Sequence, residues 1–201
     1  MIRVLIAEDQ GMVRGALKAL LAMEDDIEIV ADTDRADAVL TLALLTRPDV
    51  ALLDIEMPGG DGITAAGQLR NKLPSCRTLI LTTFGRPGFL RRAMENGAAG
   101  FMLKDAPAHE LALAIRRTMA GERVVDPGLA AAALSSGISP LSDREREVLV
   151  AGQNGASIAD IAKALFLSEG TVRNYLSSAI QKLEVSNRTE AARVAEDLGW
   201  L

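Results

Sequence analysis

The chain has 201 residues, of which 49% are hydrophobic and 24% charged, with 22 Lys and Arg against 27 Asp and Glu and a net charge of −5. That length suits one medium domain plus a small one, the composition is that of a packed globular protein, and the acidic balance excludes indiscriminate binding of nucleic acid. No apolar run approaches the roughly 18 to 20 residues that cross a bilayer, and the opening MIRVLIAEDQ turns acidic too early for a secretory signal, so the expectation is a cytoplasmic protein without membrane insertion.

In chain order, Val4 to Ala7 is a short apolar run ending at Glu8-Asp9, and Gly11 to Leu21 then reads as a helix. A weaker run spans Ile27 to Ala31. Further runs at Val50 to Leu53 and Leu79 to Leu81 each end in a polar residue and lead into helical stretches, and Gly100 to Leu103 ends at Lys104. Between them Cys76, the single cysteine, excludes an internal disulfide, suits a reducing compartment and reads as a small buried hydrophobe. Five strands alternating with helices predict a doubly wound, five-stranded parallel sheet covered on both faces, over residues 1–120. The single histidine, His109, stands at the start of an amphipathic helix and reads as surface.

Ligands of such a sheet bind outside the carboxyl ends of the strands, which is where Glu8, Asp9, Asp54, Thr82 and Lys104 fall. Three gathered carboxylates repel one another unless a hard cation shares them, and Mg²⁺ takes one or two carboxylates with waters and phosphate oxygens. Asp54 is then the natural nucleophile toward a phosphoryl donor. The acyl phosphate formed needs a hydroxyl and a cation, roles open to Thr82 and Lys104. A lone Asp in a loop is ordinarily a turn former and a lone Lys ordinarily a solvated charge, so the inference rests on the strand ends jointly.

The segments IAEDQ, LLDIEMPGGDG, LILTTF and GFMLKD resemble, in order and spacing, the acidic pair, phosphorylation site, hydroxyl position and lysine of the response regulator receiver family. The resemblance implies that Glu8, Asp9 and Asp54 hold Mg²⁺ together with the backbone carbonyl of Glu56, that Pro58 and Gly62 shape the loop beyond, and that Phe101 is an aromatic switch residue turning inward as the hydroxyl moves. Thr82 rather than Thr83 is that hydroxyl, since it directly follows the apolar run and lies 19 positions before Phe101. The phosphoryl donor is expected to be the histidine of a partner sensor kinase.

Residues 121–139, with an alanine run at Ala130 to Ala133 and Ser135-Ser136-Gly137, read as a linker carrying at most one short helix. Divided at Gly137, the chain holds 15 basic and 18 acidic side chains in the first part and 7 and 9 in the second, so any DNA contact must come from a local patch.

Residues 140–201 read as a small all-α domain. Ser142 with Glu145 is a capping box, Ser157 with Asp160 an acidic variant, and Ser168 before Glu169 a third start, giving three short helices of which the second and third are spaced as a helix-turn-helix requires. In the third, Val172, Leu176, Ala179, Ile180 and Leu183 form an apolar stripe. The opposite face shows Thr171, Arg173, Asn174, Ser177, Ser178, Gln181 and Lys182, and no acidic residue lies between Gly170 and Leu183. Such a face is often mere solvated surface, but its side chains suit base edges and phosphates.

The stretch LSDREREVLVAGQNGASIADIAKALFLSEGTVRNYLSSAIQKLEVSNRTEAA resembles the LuxR-type output domain, which implies that Arg173, Asn174 and Ser177 form the base-reading surface and that Thr171, Tyr175 and Lys182 meet the DNA backbone. Ile158 departs from that family's usual asparagine, and Gly152 sits where a large apolar residue is common. The whole resembles the NarL/FixJ subfamily, which implies phosphorylation-promoted homodimerisation on double-stranded DNA with two half-sites. The wording DIEMPG, ILTTF, RPG, TVRNY and the terminal GW is similar to members that regulate membrane lipid desaturation. Two other classes compete. Asp54-Ile55-Glu56 is superficially like phosphatases with an aspartate nucleophile, but those place it after the first strand. An interaction protein that binds no DNA is favoured only by Ile158.

Overall fold

A computed structural model describes residues 1–83, 85–135, 139–153 and 155–201. The chain divides into two compact units, one formed by Met1–Gly85 and Leu90–Ala130, the other by Arg86–Phe89 and Ala131–Leu201.

The first unit alternates strands and helices. β1 (Ile2–Ala7), β2 (Ile27–Thr33), β3 (Val50–Asp54), β6 (Arg77–Thr82), β7 (Gly100–Leu103) and β8 (Val124–Val125) form one parallel sheet in the order β2-β1-β3-β6-β7-β8. The unit's helices are α1 (Gly11–Leu21), α2 (Ala36–Thr46), α3 (Gly62–Lys72), α5 (Ala108–Met119) and, from Leu90 on, α4 (Pro87–Glu95). The sheet therefore has six strands, not the five expected. Val124-Val125 is too short to show a period-two pattern, yet Val124 pairs with Gly100 and Val125 with Phe101. This sixth strand lies inside the segment read as linker, as does α6 (Pro127–Ser135). A small antiparallel pair, β4 (Glu56–Met57) and β5 (Gly60–Asp61), was likewise not anticipated.

Alternation of side chains across the sheet builds two apolar layers. Val4, Ile6, Val50, Leu52, Leu79, Leu81 and Met102 pack with Leu21, Leu111 and Ile115 of α1 and α5. The intervening residues Leu5, Leu53, Ile80 and Phe101 are buried on the other side. With the inner strands β1, β3 and β6 buried on both faces toward their carboxyl ends, polar side chains are left where those strands end, and that concentrates the chemistry there. Cys76 is buried, and burial, reinforced by the Asp49 carboxylate, pushes its thiol up to about 12, the behaviour of an inert core residue.

The second unit is helical: α7 (Asp143–Gly152), α8 (Ile158–Ala164), α9 (Glu169–Lys182) and α10 (Arg188–Asp197). Ser142 and Ser157 each complete a capping box, and the Ser168 hydroxyl accepts from Thr171 N. The fourth helix was missed, although Asn187 accepts from Glu190 N as an N-cap, a signal of the same kind as the three that were read. Val172, Leu176 and Ala179 of α9 are buried against Val148, Leu149, Ile161 and Ala191, with Ile180 and Leu183 packed at the margin, so the expected stripe is the core. Among the described residues no helix is long and apolar enough to cross a membrane.

Candidate functional site

Glu8 and Asp9 follow β1, Asp54 ends β3, Thr82 ends β6 and Lys104 follows β7. Because these strands are parallel neighbours in the order β1-β3-β6-β7, their carboxyl ends meet along one edge. Ligand oxygens of Glu8, Asp9 and Asp54 all lie within 4.8 Å of one another. Glu8 and Asp54 are buried and Asp9 is exposed, so the cluster opens to solvent on one side.

Lys104 Nζ stands 2.7 Å from Glu8 Oε2 and 2.9 Å from Asp54 Oδ2. Asp54 Oδ1 accepts from Ile55 N at 2.8 Å, and Glu8 Oε1 from Gln10 N at 3.1 Å. Burial pushes the Asp54 and Glu8 carboxyls above their usual range, with Lys104 pulling the other way. For Lys104, burial lowers the ammonium's affinity for its proton, but Asp54 and Glu8 together outweigh it and hold its pKa up. Glu8 Oε2, although close to the ammonium, accepts no well-directed hydrogen bond. Three carboxylates with oxygens this close, of which Asp9 is open to solvent, are a donor set that fits an oxygen-ligated divalent cation.

Two devices set this geometry. An added Cβ at Gly62 would lie 1.9 Å from the Asp54 carbonyl oxygen, so only glycine lets the start of α3 approach β3, where Gly62 N donates to the Ile55 carbonyl at 3.0 Å. Arg14, one turn into α1, donates to the carbonyls of Glu8 at 2.5 Å and Asp9 at 3.4 Å and pins the acidic pair's backbone. In the sequence nothing marks Arg14 beyond its place in the helix after the acidic pair.

Thr82 is buried, and its carbonyl accepts from Lys104 N at 2.8 Å, so the two residues are joined across β6 and β7. Phe101 is sealed in the core and pairs with Ile80. Glu56 lies in β4 with an exposed side chain and is not in the acidic cluster. The arrangement that a second carboxylate two residues after an aspartate nucleophile would need is therefore absent among the described residues.

In the second unit Arg173, Asn174 and Ser177 are exposed on one side of α9, with Thr171 and Tyr175 half-buried beside them. Two of the basic side chains are already engaged: Arg173 pairs with Glu169 at 2.7 Å and Lys182 with Glu145 at 2.7 Å. Glu145 was read only as a cap. It is buried in α7, accepts from Ser142 N, and also takes the Ser178 hydroxyl at 2.6 Å, so one carboxylate closes the cap of α7 and fastens α9 to it. Against the cost of burial, Lys182, Ser178 and Ser142 pull its pKa down to about 2.

A carboxylate-lysine pocket at the carboxyl edge of a doubly wound sheet, joined in one chain to a helix-turn-helix, defines a class of phosphorylation-controlled DNA-binding regulators. Over residues 4–116 the chain matches the response regulator receiver domain family, and over residues 139–195 the luxR family of bacterial regulatory proteins. It is 45% identical to the transcriptional regulatory protein DesR of Bacillus subtilis strain 168, across 100% of this chain and 99% of DesR, and 44% identical to the transcriptional regulatory protein YvfU of the same strain, across 100% of both. It is similar in structure to the response regulator ChrA of a heme-sensing two-component system (37% identity, 100% of this chain and 98% of ChrA, TM-score 0.60) and to RcsB in a structure of two RcsB dimers bound to two parallel DNAs (25% identity, 97% and 98%, TM-score 0.70). The chain belongs to the NarL/FixJ family of response regulators, with a receiver domain and a LuxR-type DNA-binding domain. DesR and YvfU resemble it to the same degree, so likeness to either assigns no target genes.

Proposed function

We propose that Asp54 is the phosphoacceptor and that its phosphorylation by a sensor histidine kinase switches the DNA-binding domain on. The observation that carries this reading is the single ammonium of Lys104 held between the buried carboxylates of Glu8 and Asp54. An Asp54 oxygen attacks the phosphorus of a phosphohistidine, the phosphorus–nitrogen bond breaks, and the departing imidazole takes up a proton. Lys104 and the Thr82 hydroxyl then hold phosphoryl oxygens. Glu8, Asp9, Asp54 and the main-chain carbonyl of Glu56 would hold Mg²⁺, which would supply the charge neutralisation that an anionic donor needs beside anionic side chains. With Thr82 drawn inward, Phe101 acts as the aromatic switch beneath it.

On this reading residues 1–120, with Val124-Val125 completing the sheet, are the receiver, the rest of 121–139 is the connection and 140–201 the output domain, working in the cytoplasm as a homodimer that reads two half-sites. Arg173, Asn174 and Ser177 read bases, and Thr171, Tyr175 and Lys182 meet the backbone. The test is sedimentation of the full chain with and without beryllofluoride and Mg²⁺, followed by DNA titration of both samples. The expected result is conversion of monomer to dimer with tighter binding to a two-fold symmetric duplex. Unchanged mass and unchanged affinity would overturn it.

A further inference from the structure

The turn between α8 and α9 carries a side chain that the fold leaves unused. Phe166 is 96% exposed, while its neighbours Leu165 and Leu167 pack against the helical core. Its backbone adopts φ of +55°, in the left-handed region where a residue with a Cβ is penalised and glycine or asparagine is at ease. Among the described residues no other aromatic side chain is as exposed. The left-handed turn itself closes α8, where Leu167 N donates to the Ala162 carbonyl at 2.8 Å; a fully exposed phenyl ring at a position that suits glycine gains the fold nothing and points to a contact outside it.

The position says which contact. Phe166 lies two residues before Ser168, the N-cap of α9, next to the end of the helix that presents Thr171, Arg173 and Asn174. In a helix-turn-helix the first residues of the second helix reach base edges, which leaves the preceding turn at the rim of the groove, over the backbone. A phenyl ring has nothing to offer phosphate oxygens but can cover the carbons of a sugar. We infer that Phe166 is a DNA-contacting residue whose ring packs on a deoxyribose at the groove wall beside the entry of α9. The inference rests on α9 being the helix that enters the major groove.

The consequence is a contact that adds affinity without reading sequence and without releasing counterions, unlike Arg173 and Lys182. The test uses the full chain activated with beryllofluoride and Mg²⁺, a duplex selected by the wild-type chain from a random-sequence pool, and a scrambled duplex. Phe166→Gly, whose backbone suits φ of +55°, should melt no lower than the wild type yet bind both duplexes about tenfold more weakly, with the same dependence on salt. Phe166→Tyr should bind as tightly as the wild type. Affinity of the glycine variant within about twofold of wild type, a loss confined to the selected duplex, or a tyrosine variant as weak as the glycine one would overturn the inference. So would a clear fall in the melting temperature of Phe166→Gly, which would make the ring part of the fold. If the wild-type chain selected no duplex at all, the DNA-binding role of α9 would fail first and take this contact with it.

Discussion

Lys104 Nζ lies 2.9 Å from Asp54 Oδ2 although the two residues end strands β7 and β3, with β6 running between them. The ammonium reaches over one strand to serve two buried carboxylates, and among the described residues no other cation pairs with either. Replacing Lys104 by Ala leaves Glu8 and Asp54 facing each other without compensation. The expected loss of stability in a chelating buffer is about 3 kcal/mol, of which Mg²⁺ should restore a substantial part. Thermal denaturation of both proteins with and without Mg²⁺ measures this, and equal melting curves in chelator would show the pair to be energetically idle.

Asp54 belongs to the acidic cluster, pairs with the lysine and ends β3, which lies between β1 and β6 in the sheet. Incubation with a small acyl-phosphate donor and Mg²⁺ should label the chain once, and Asp54→Asn should abolish the label. Intact-mass spectrometry reads both. Equal labelling of the Asn variant would place the phosphoacceptor elsewhere.

The pocket was legible in the sequence because parallel strands bury both faces, so a polar residue directly after an apolar run can only be a strand end. Glu8, Asp54 and Lys104 declared themselves that way. What escaped was structure held by pairing rather than pattern. Val124-Val125 is a strand because Gly100-Phe101 lies beside it, and two residues carry no period. Glu145 gave a correct local signal as a cap, but its bonds to Ser178 and Lys182 join positions 33 and 37 residues away and exist only once α7 and α9 have packed. The strip of α9 between Gly170 and Leu183 has no acid of its own, yet Glu169 at its start and Glu145 across from it pair with its two cations.

That buried carboxylate should make the helical domain acid-sensitive. With its pKa held at about 2, below the ordinary 4.5, Glu145 contributes stability that is fully present above the ordinary value and is lost as pH falls from there toward the folded value. Glu145→Gln should cost about 1 to 3 kcal/mol at pH 7, and the difference from wild type should shrink as pH falls below about 4.5. Melting of the α7–α10 region followed by hydrogen exchange across this range tests it, and a difference independent of pH would refute the role of the charge.

Arg173 and Lys182 should separate base reading from backbone contact. Arg173→Ala is expected to lower affinity and relax preference at one position by about 1 to 3 kcal/mol, whereas Lys182→Ala should weaken all sequences alike. Because Lys182 also pairs with Glu145, its variant should melt lower as well, which Arg173→Ala, exposed and paired only within its helix, should not. Uniform loss of affinity in both variants would remove Arg173 from the base-reading surface.

On the reading proposed above, a phosphoryl group at Asp54 would reach a dimer face through groups that touch both. A cleft of about 110 Å³ between α1 and α5 is lined by Leu17, Leu20, Leu81, Met102, Leu111 and the stem of Lys104, so the residue that clasps Asp54 also forms part of this wall. The outer surfaces of the same two helices carry Met12, Leu20, Leu113 and Met119, each exposed. A new anion at Asp54 draws Lys104 toward its oxygens and changes the wall between α1 and α5, which makes this face the expected site of self-association. Leu113→Glu should therefore stay monomeric in beryllofluoride and Mg²⁺ while still accepting a phosphoryl group at Asp54, and it should bind the two-fold symmetric duplex no better when activated than when not. Sedimentation and intact-mass labelling of the same sample decide the matter: a labelled variant that dimerises as the wild type does would move the dimer face away from α1 and α5.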